Sequence, residues 1–225
     1  MLPKKLRDLR FDVFYRLFER QDVPLMTLGE TTNECHWTFC PEGLNAHSTV
    51  YSGGVGNDIT FEHALVRQFG CSAVMIDPSP TGLKTMSQPE NGIPEFRFFP
   101  VALTGHNGSL TLAPPIHSEE GSWYAQAGEA GKLEVPCTDL LSLMQQNHHD
   151  HIDLLKIDIE GSEYEVIDDI LRRRIPICQI CVEFHHHLIP GVKRNQTIRS
   201  ILKLVARGYR LIHHLAGNHT FVRMG

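Results

Sequence analysis

The chain has 225 residues, 41% of them hydrophobic, enough to bury a core but short for two large domains. Its formal net charge of −5 supplies no evident basic face for gripping phosphates, so a small or neutral substrate is expected and a nucleic acid is not. No run approaches the roughly 20 apolar residues that span a bilayer, and Lys4, Lys5, Arg7, Asp8, Arg10, Asp12 and Arg16 break the N-terminal stretch, so neither a signal peptide nor an integral membrane segment is expected.

In that stretch Leu6, Leu9, Val13, Phe14, Leu17 and Phe18 recur at helical spacing and predict an amphipathic helix. Residues 1–47 read as an N-terminal helix and cap, and 48–225 as the core of one domain. From Thr49 onward, hydrophobic runs alternate with helical patterns in the rhythm of a parallel sheet. A first strand, Ser48–Ser52, leads into the turn Gly53-Gly54-Val55-Gly56 and a helix, Ile59–Phe69, with Phe61, Leu65, Val66 and Phe69 as its apolar stripe. A second strand, Ala73–Ile76, ends in Asp77-Pro78, and Phe96–Val101 makes a third.

Leu110–Leu112 predicts a short extra strand before a Pro-, Gly- and Ser-containing stretch, Ala113–Gly131, the expected substrate loop. Thr138 is placed to cap a helix carrying Leu140, Leu141 and Met144. A fourth strand, Ile152–Ile159, a helix, Glu163–Arg173, and a fifth strand, Ile177–Phe184, follow. Last come a helix, Thr197–Ala206, closed by Gly208, and an antiparallel hairpin of Tyr209–His214 and His219–Met224. The expected fold class is α/β, Rossmann-like, with a mostly parallel central sheet and a C-terminal antiparallel hairpin.

Six cysteines lack the dense spacing of a stapled secreted domain and read as reduced thiols, which favours a cytoplasmic location. Cys178 and Cys181 have a zinc-like spacing but lie in an apolar strand that sends them to opposite faces, so two buried thiols are expected instead.

Gly53, Gly54 and Gly56, between a strand and a helix, let backbone approach a ligand where any Cβ would obstruct it. The spacing departs from the dinucleotide fingerprint, since Ile59 stands where its last glycine belongs, and this disfavours a nicotinamide-dependent oxidoreductase. Asp77, about twenty residues on at the tip of the second strand, is placed to accept ribose hydroxyls, so turn and acid together imply a nucleoside cofactor. Lys156, Asp158 and Glu160 alternate along one face at the end of the fourth strand, which neighbours the first in this topology, so they should face the ligand crevice.

The run Lys156-Ile157-Asp158-Ile159-Glu160-Gly161-Ser162-Glu163 resembles the signature of the FkbM-type methyltransferase family. Trp37-Thr38-Phe39, the segment from Val50 to Phe61, Phe69-Gly70-Cys71 and Asp77-Pro78-Ser79-Pro80 are similar to it in order and spacing. The likeness runs from about Cys35 to Met224. It implies a class I methyltransferase fold using S-adenosylmethionine, with Gly54 and Gly56 along the methionine part, Asp77 on the ribose, Val101 and Ala102 flanking the adenine, and Asp158 and Glu160 facing the transfer site.

Because the sulfonium methyl is already electrophilic, the protein must position an acceptor oxygen and remove its proton. Asp158 is the first candidate for that task, and Glu183 and His185 can supply a second acid or base. His185, His186 and His187 can be imagined on a metal with Asp158 or Glu183, but three adjacent histidines on an extended segment cannot converge on one ion, and no metal is assigned. The expected activity is O-methylation of a hydroxyl on a small molecule or sugar; the rival is a non-catalytic nucleoside-binding or scaffold protein that retains the fold.

Overall fold

A computed structural model describes residues 13–31, 35–115, 122–125, 133–186 and 192–224. The strands are β1 (Met26–Glu30), β2 (Cys35–Phe39), β3 (Thr49–Gly53), β4 (Ser72–Ile76), β5 (Phe96–Phe99), β6 (Ala102–Thr104), β7 (Gly108–Ala113), β8 (Tyr124–Ala125), β9 (Leu133–Asp139), β10 (Ile152–Ile157), β11 (Ile177–Glu183), β12 (Tyr209–Leu215) and β13 (Asn218–Arg223). The helices are α1, described over 13–18, α2 (Thr60–Phe69), α3 (Pro80–Met86), α4 (Leu140–Asn147), α5 (Glu163–Arg173) and α6 (Arg194–Ala206).

Seven strands form the main sheet in the order β12-β13-β11-β10-β3-β4-β5. The five from β11 to β5 run parallel, and β13 pairs antiparallel with both β11 and β12. This is the expected wound sheet with its closing hairpin.

Strand alternation divides the core into two faces. Tyr51, Leu155 and Ile180 pack with Val166, Ile170 and Leu204 of α5 and α6. Their neighbours Val50, Leu154 and Cys181 point the other way, against Trp37, Phe61 and Leu65 of β2 and α2. Both faces are covered, which is why the inner strands read as nearly unbroken apolar runs.

Helix ends follow local chemistry. α2 stops at Gly70 in the left-handed region at φ 70°, and α3 starts behind Ser79, whose side chain accepts from the Gly82 N–H at 3.0 Å, with Pro80 in its first turn. α5 carries Glu163 and Glu165 in its first turn and Arg172 and Arg173 in its last, each sign matching the helix dipole.

Several expectations are corrected. The run 96–101 is not one strand: Pro100 has no N–H for the ladder, Val101 bonds back to the Phe99 carbonyl, and Ala102–Thr104 leaves for a second sheet of order β6-β9-β7-β8. Thr138 lies inside β9, and it is Asp139 that caps α4, accepting from the Ser142 N–H at 2.8 Å. Cys181 is buried but Cys178 is exposed, so the opposite-face reading holds while the pair of buried thiols does not. In α1, Phe14 packs on the core whereas Val13 and Leu17 stay exposed; residues 1–12 of the expected helix lie outside the described residues. So does most of the expected substrate loop, apart from 113–115 and 122–125. Among the described residues no helix is long and apolar enough to cross a membrane.

Candidate functional site

Strand register builds the site. Gly53 is level with Ile76 on one side and Ile157 on the other, and Ile157 is level with Val182. The residues just beyond this row therefore emerge together at the carboxyl end of the sheet, where the strand order reverses beside β3. They surround a cavity of about 460 Å³.

One wall is the glycine turn. Gly54 has φ 85° and donates to the Ile76 carbonyl at 2.9 Å; a Cβ there would fall 1.8 Å from the Asp158 carbonyl oxygen, so this close approach of the turn after β3 to the end of β10 admits only glycine. Gly56, at φ 56°, has open space where a side chain would stand. Asp77 holds the turn: one carboxylate oxygen accepts from the N–H groups of Val55 and Gly56 at 2.9 and 3.0 Å, and the other from Ser79 at 2.7 Å. Three of the roughly four acceptor positions of a carboxylate are thereby filled, leaving room for a ligand hydroxyl.

Beneath the turn, buried Lys156 donates to the Gly54 carbonyl and lies 3.9 Å from Glu62 and 4.0 Å from Asp158, with the Trp37 ring 5.6 Å away. Glu62 is itself buried and accepts from the Ser52 hydroxyl. Leu110, Leu112, Ser122 and Trp123 line the opposite wall.

The far end is acidic. His185 is buried; its Nδ1 lies 2.7 Å from Glu163, while Nε2 faces Asp158 and Glu160 at 3.4 Å each and Glu183 at 4.0 Å. Burial works against its imidazolium, but the hydrogen bond and charge of Glu163, with Asp158 and Glu160 behind them, prevail and raise it to about 10. Glu183 is pushed up to about 7 by burial and then by the Asp158 carboxylate. Burial also raises Glu160, opposed by His185.

A family model described as the methyltransferase FkbM domain matches residues 43–211. The chain belongs to this family. The FkbM domain is that of an S-adenosylmethionine-dependent methyltransferase, and S-adenosylmethionine is its cofactor. No curated protein matches the chain. Among solved structures it is similar to TrmK from M. capricolum in complex with S-adenosylhomocysteine, with 12% identity, TM-score 0.42, and coverage of 80% of this chain and 63% of that one. It is also similar to a Methanococcus jannaschii fibrillarin pre-rRNA processing protein, with 10% identity, TM-score 0.46, and coverage of 91% and 84%. A third is monomeric WbdD, with 14% identity, TM-score 0.44, and coverage of 97% and 40%.

Within the FkbM domain, Gly54, Gly56, Asp77, Ala102, Asp158, Glu160, Glu183 and His185 all line the cavity. Gly53 and Val101 are not among its lining residues: a Cβ on Gly53 would meet Leu103 at 3.2 Å and Ile159 at 3.3 Å, and Val101 packs on the core. His187 lies outside the described residues. Sequence reasoning passed over Glu62 and Glu163 as site residues. A glutamate on the apolar side of a helix, as Glu62 is between Phe61 and Leu65, was the signal for the first; for Glu163 it was the acid opening a helix directly after Gly161-Ser162.

Proposed function

We propose that this chain transfers the methyl group of S-adenosylmethionine to a hydroxyl oxygen of a small molecule or sugar. The observation that carries the reading is that the glycine turn and the four ionisable groups Asp158, Glu160, Glu183 and His185 line one cavity. The residues fit the cofactor: open space at Gly56, a spare acceptor position on Asp77, and carboxylates suited to a sulfonium's positive charge.

When bound, the cofactor supplies an electrophilic methyl on sulfur. Asp77 would hold the ribose hydroxyls, the Gly54–Gly56 backbone would border the methionine part, and Ala102 would flank the adenine. Leu110, Leu112 and Trp123 would exclude water from the transfer site. Asp158, 30% exposed toward the cavity, is the group to orient the acceptor hydroxyl and draw off its proton, with Glu160 and Glu183 as neighbouring carboxylates and the His185 imidazolium holding their charge in place. A cleft rich in carboxylates, in a chain of net charge −5, repels a polyphosphate backbone, which favours an uncharged acceptor over a nucleic acid.

The test is calorimetric titration with S-adenosylmethionine, followed by assay of S-adenosylhomocysteine release against a panel of sugars and small hydroxylated compounds. One-to-one binding with acceptor-dependent release is expected. Binding without release for any hydroxyl acceptor would return the chain to a nucleoside-binding role, and release with amine acceptors alone would overturn O-methylation.

A further inference from the structure

Three adjacent histidines cannot meet at one point, but Glu183 and His185 are two residues apart and so lean to the same side of an extended chain. The neighbouring strand ends beside them in Asp158. Ligand atoms of Asp158, Glu183 and His185 all lie within 4.8 Å of one another. From these positions we infer that the three side chains bind one divalent first-row transition-metal ion at the acceptor end of the cleft, with Glu160 beside it as a further carboxylate.

The distances accommodate an ion. His185 Nδ1 approaches Glu163 to 2.7 Å, whereas Nε2 stands 3.4 Å from Asp158 and Glu160 and 4.0 Å from Glu183. Two atoms each about 2.1 Å from a shared ion lie about 3.0–3.4 Å apart, for octahedral and tetrahedral angles respectively. The Nε2 spacings to Asp158 and Glu160 fall at the upper end of that range, and Glu183, at 4.0 Å, would move inward on binding.

The surroundings are those of a metal-bound histidine. Glu163 is completely buried, and besides His185 it accepts from the N–H groups of Ile159 and Gly161. A carboxylate fixed in this way on Nδ1–H leaves Nε2 aimed at the ion, which would displace the proton that Nε2 carries in the ion-free site, and makes that nitrogen a better donor. Charge points the same way. Three carboxylates, Asp158, Glu160 and Glu183, surround His185 Nε2, and Lys156, shared between the Gly54 carbonyl, Glu62 and Asp158, reaches only one of the three. One imidazole with two carboxylates suits Mn²⁺, Co²⁺ or Zn²⁺ better than Ca²⁺ or Mg²⁺, which prefer oxygen alone.

Three protein ligands leave coordination positions open toward the cavity, where the ion would hold an acceptor hydroxyl and lower its pKa. That role rests on the transfer reaction proposed above; binding of the ion does not.

The experiment uses tag-free protein stripped with a chelator, titrated with Co²⁺ and followed by calorimetry and visible absorption. The wild type should bind one Co²⁺ with ligand-field bands. Glu183→Gln and Asp158→Asn should each weaken binding at least about tenfold, and Glu163→Gln, which removes no ligand, by about 10–100-fold. Circular dichroism checks that each variant is folded. If both ligand variants unfold, electron spin-echo modulation of Mn²⁺ in the wild type decides: one coupled imidazole nitrogen supports the site and none overturns it. No Co²⁺ uptake by folded wild type, or unchanged affinity in Glu183→Gln, also overturns it. Titration of the metal-free chain with S-adenosylmethionine separates the two readings. Cofactor binding without Co²⁺ binding defeats the ion alone, and Co²⁺ binding without cofactor binding defeats the transferase reading alone.

Discussion

Glu163 Oε1 lies 2.7 Å from His185 Nδ1, and the same carboxylate accepts from the backbone N–H groups of Ile159 and Gly161. One buried side chain thus ties the loop after β10 to the imidazole after β11. Removing it leaves those donors without a partner and His185 without its orienting acceptor. Glu163→Ala should cost about 3 kcal/mol or more of stability, the range for breaking a buried charged network. Thermal and denaturant unfolding measure this; a loss under about 0.5 kcal/mol, typical of surface changes, would show that the loop holds without Glu163.

Asp77 carries two duties that one substitution removes together. Its carboxylate shapes the glycine turn through Val55, Gly56 and Ser79, and it is the group proposed for the ribose. Asp77→Ala should weaken S-adenosylmethionine binding by about 1–3 kcal/mol, the worth of charged hydrogen bonds, and should lower the melting temperature of the free protein as well. Calorimetry and a melting curve read the two effects separately. Unchanged affinity would take Asp77 out of the cofactor site and leave it as a turn residue.

Asp158 stands between the turn and the acidic end. Its backbone N–H donates to the Gly53 carbonyl at 3.0 Å, so the main chain is fixed whatever the side chain becomes. Asp158→Asn should therefore lower turnover much more than cofactor affinity, because the carboxylate is proposed to act on the acceptor. Equal loss in both would reassign it to cofactor binding.

The parallel strands themselves were legible because buried strands are apolar on both faces, as Leu154 and Leu155 are in β10, and because Gly54, Gly56 and Gly70 mark turns. The second sheet was not. Its strand β6 is three residues long, β9 contains Pro136, and β7 and β9 pair across a stretch that reads locally as loop. Asp77, Asp158 and His185 could be picked out one by one as polar groups at strand ends. Their convergence needed the register, since Gly53, Ile76, Ile157 and Val182 share one row only when the strands are aligned. Lys156 shows the converse: placed by sequence in the crevice, it lines the cavity but is held beneath the turn, shared between the Gly54 carbonyl, Glu62 and Asp158.

Gly54 should tolerate no side chain. At φ 85°, with the Asp158 carbonyl 1.8 Å from the position of a Cβ, Gly54→Ala must displace either the turn or β10. A loss above about 2 kcal/mol is expected from strain of this kind, with cofactor binding lost as the turn shifts. Gly56→Ala, with open space at its Cβ, should cost less in stability while obstructing the cofactor. Denaturant unfolding of the two variants side by side checks the ranking, and equal destabilisation would contradict it.

Behind the acidic end of the cleft, paired with Val182 and packed on the Phe184 ring, His219 makes stability depend on pH. It is fully buried, with Nδ1 2.7 Å from the Gly217 carbonyl and Nε2 2.8 Å from the Tyr15 hydroxyl. The carbonyl can only accept, so Nδ1 carries the proton and Nε2 accepts from Tyr15. Burial, with smaller contributions from His214, His186 and His213, lowers its pKa to about 3 from an ordinary 6.5. Above pH 6.5 the ring is neutral whether the chain is folded or not, and His219 contributes no pH dependence. Below it the unfolded chain binds a proton that the folded chain refuses, so stability falls steadily toward pH 3, by about 2 kcal/mol at pH 5. Denaturant unfolding at pH 7 and pH 5 should show this loss in the wild type and much less of it in His219→Gln. Parallel declines in both proteins would assign the acid sensitivity to another group.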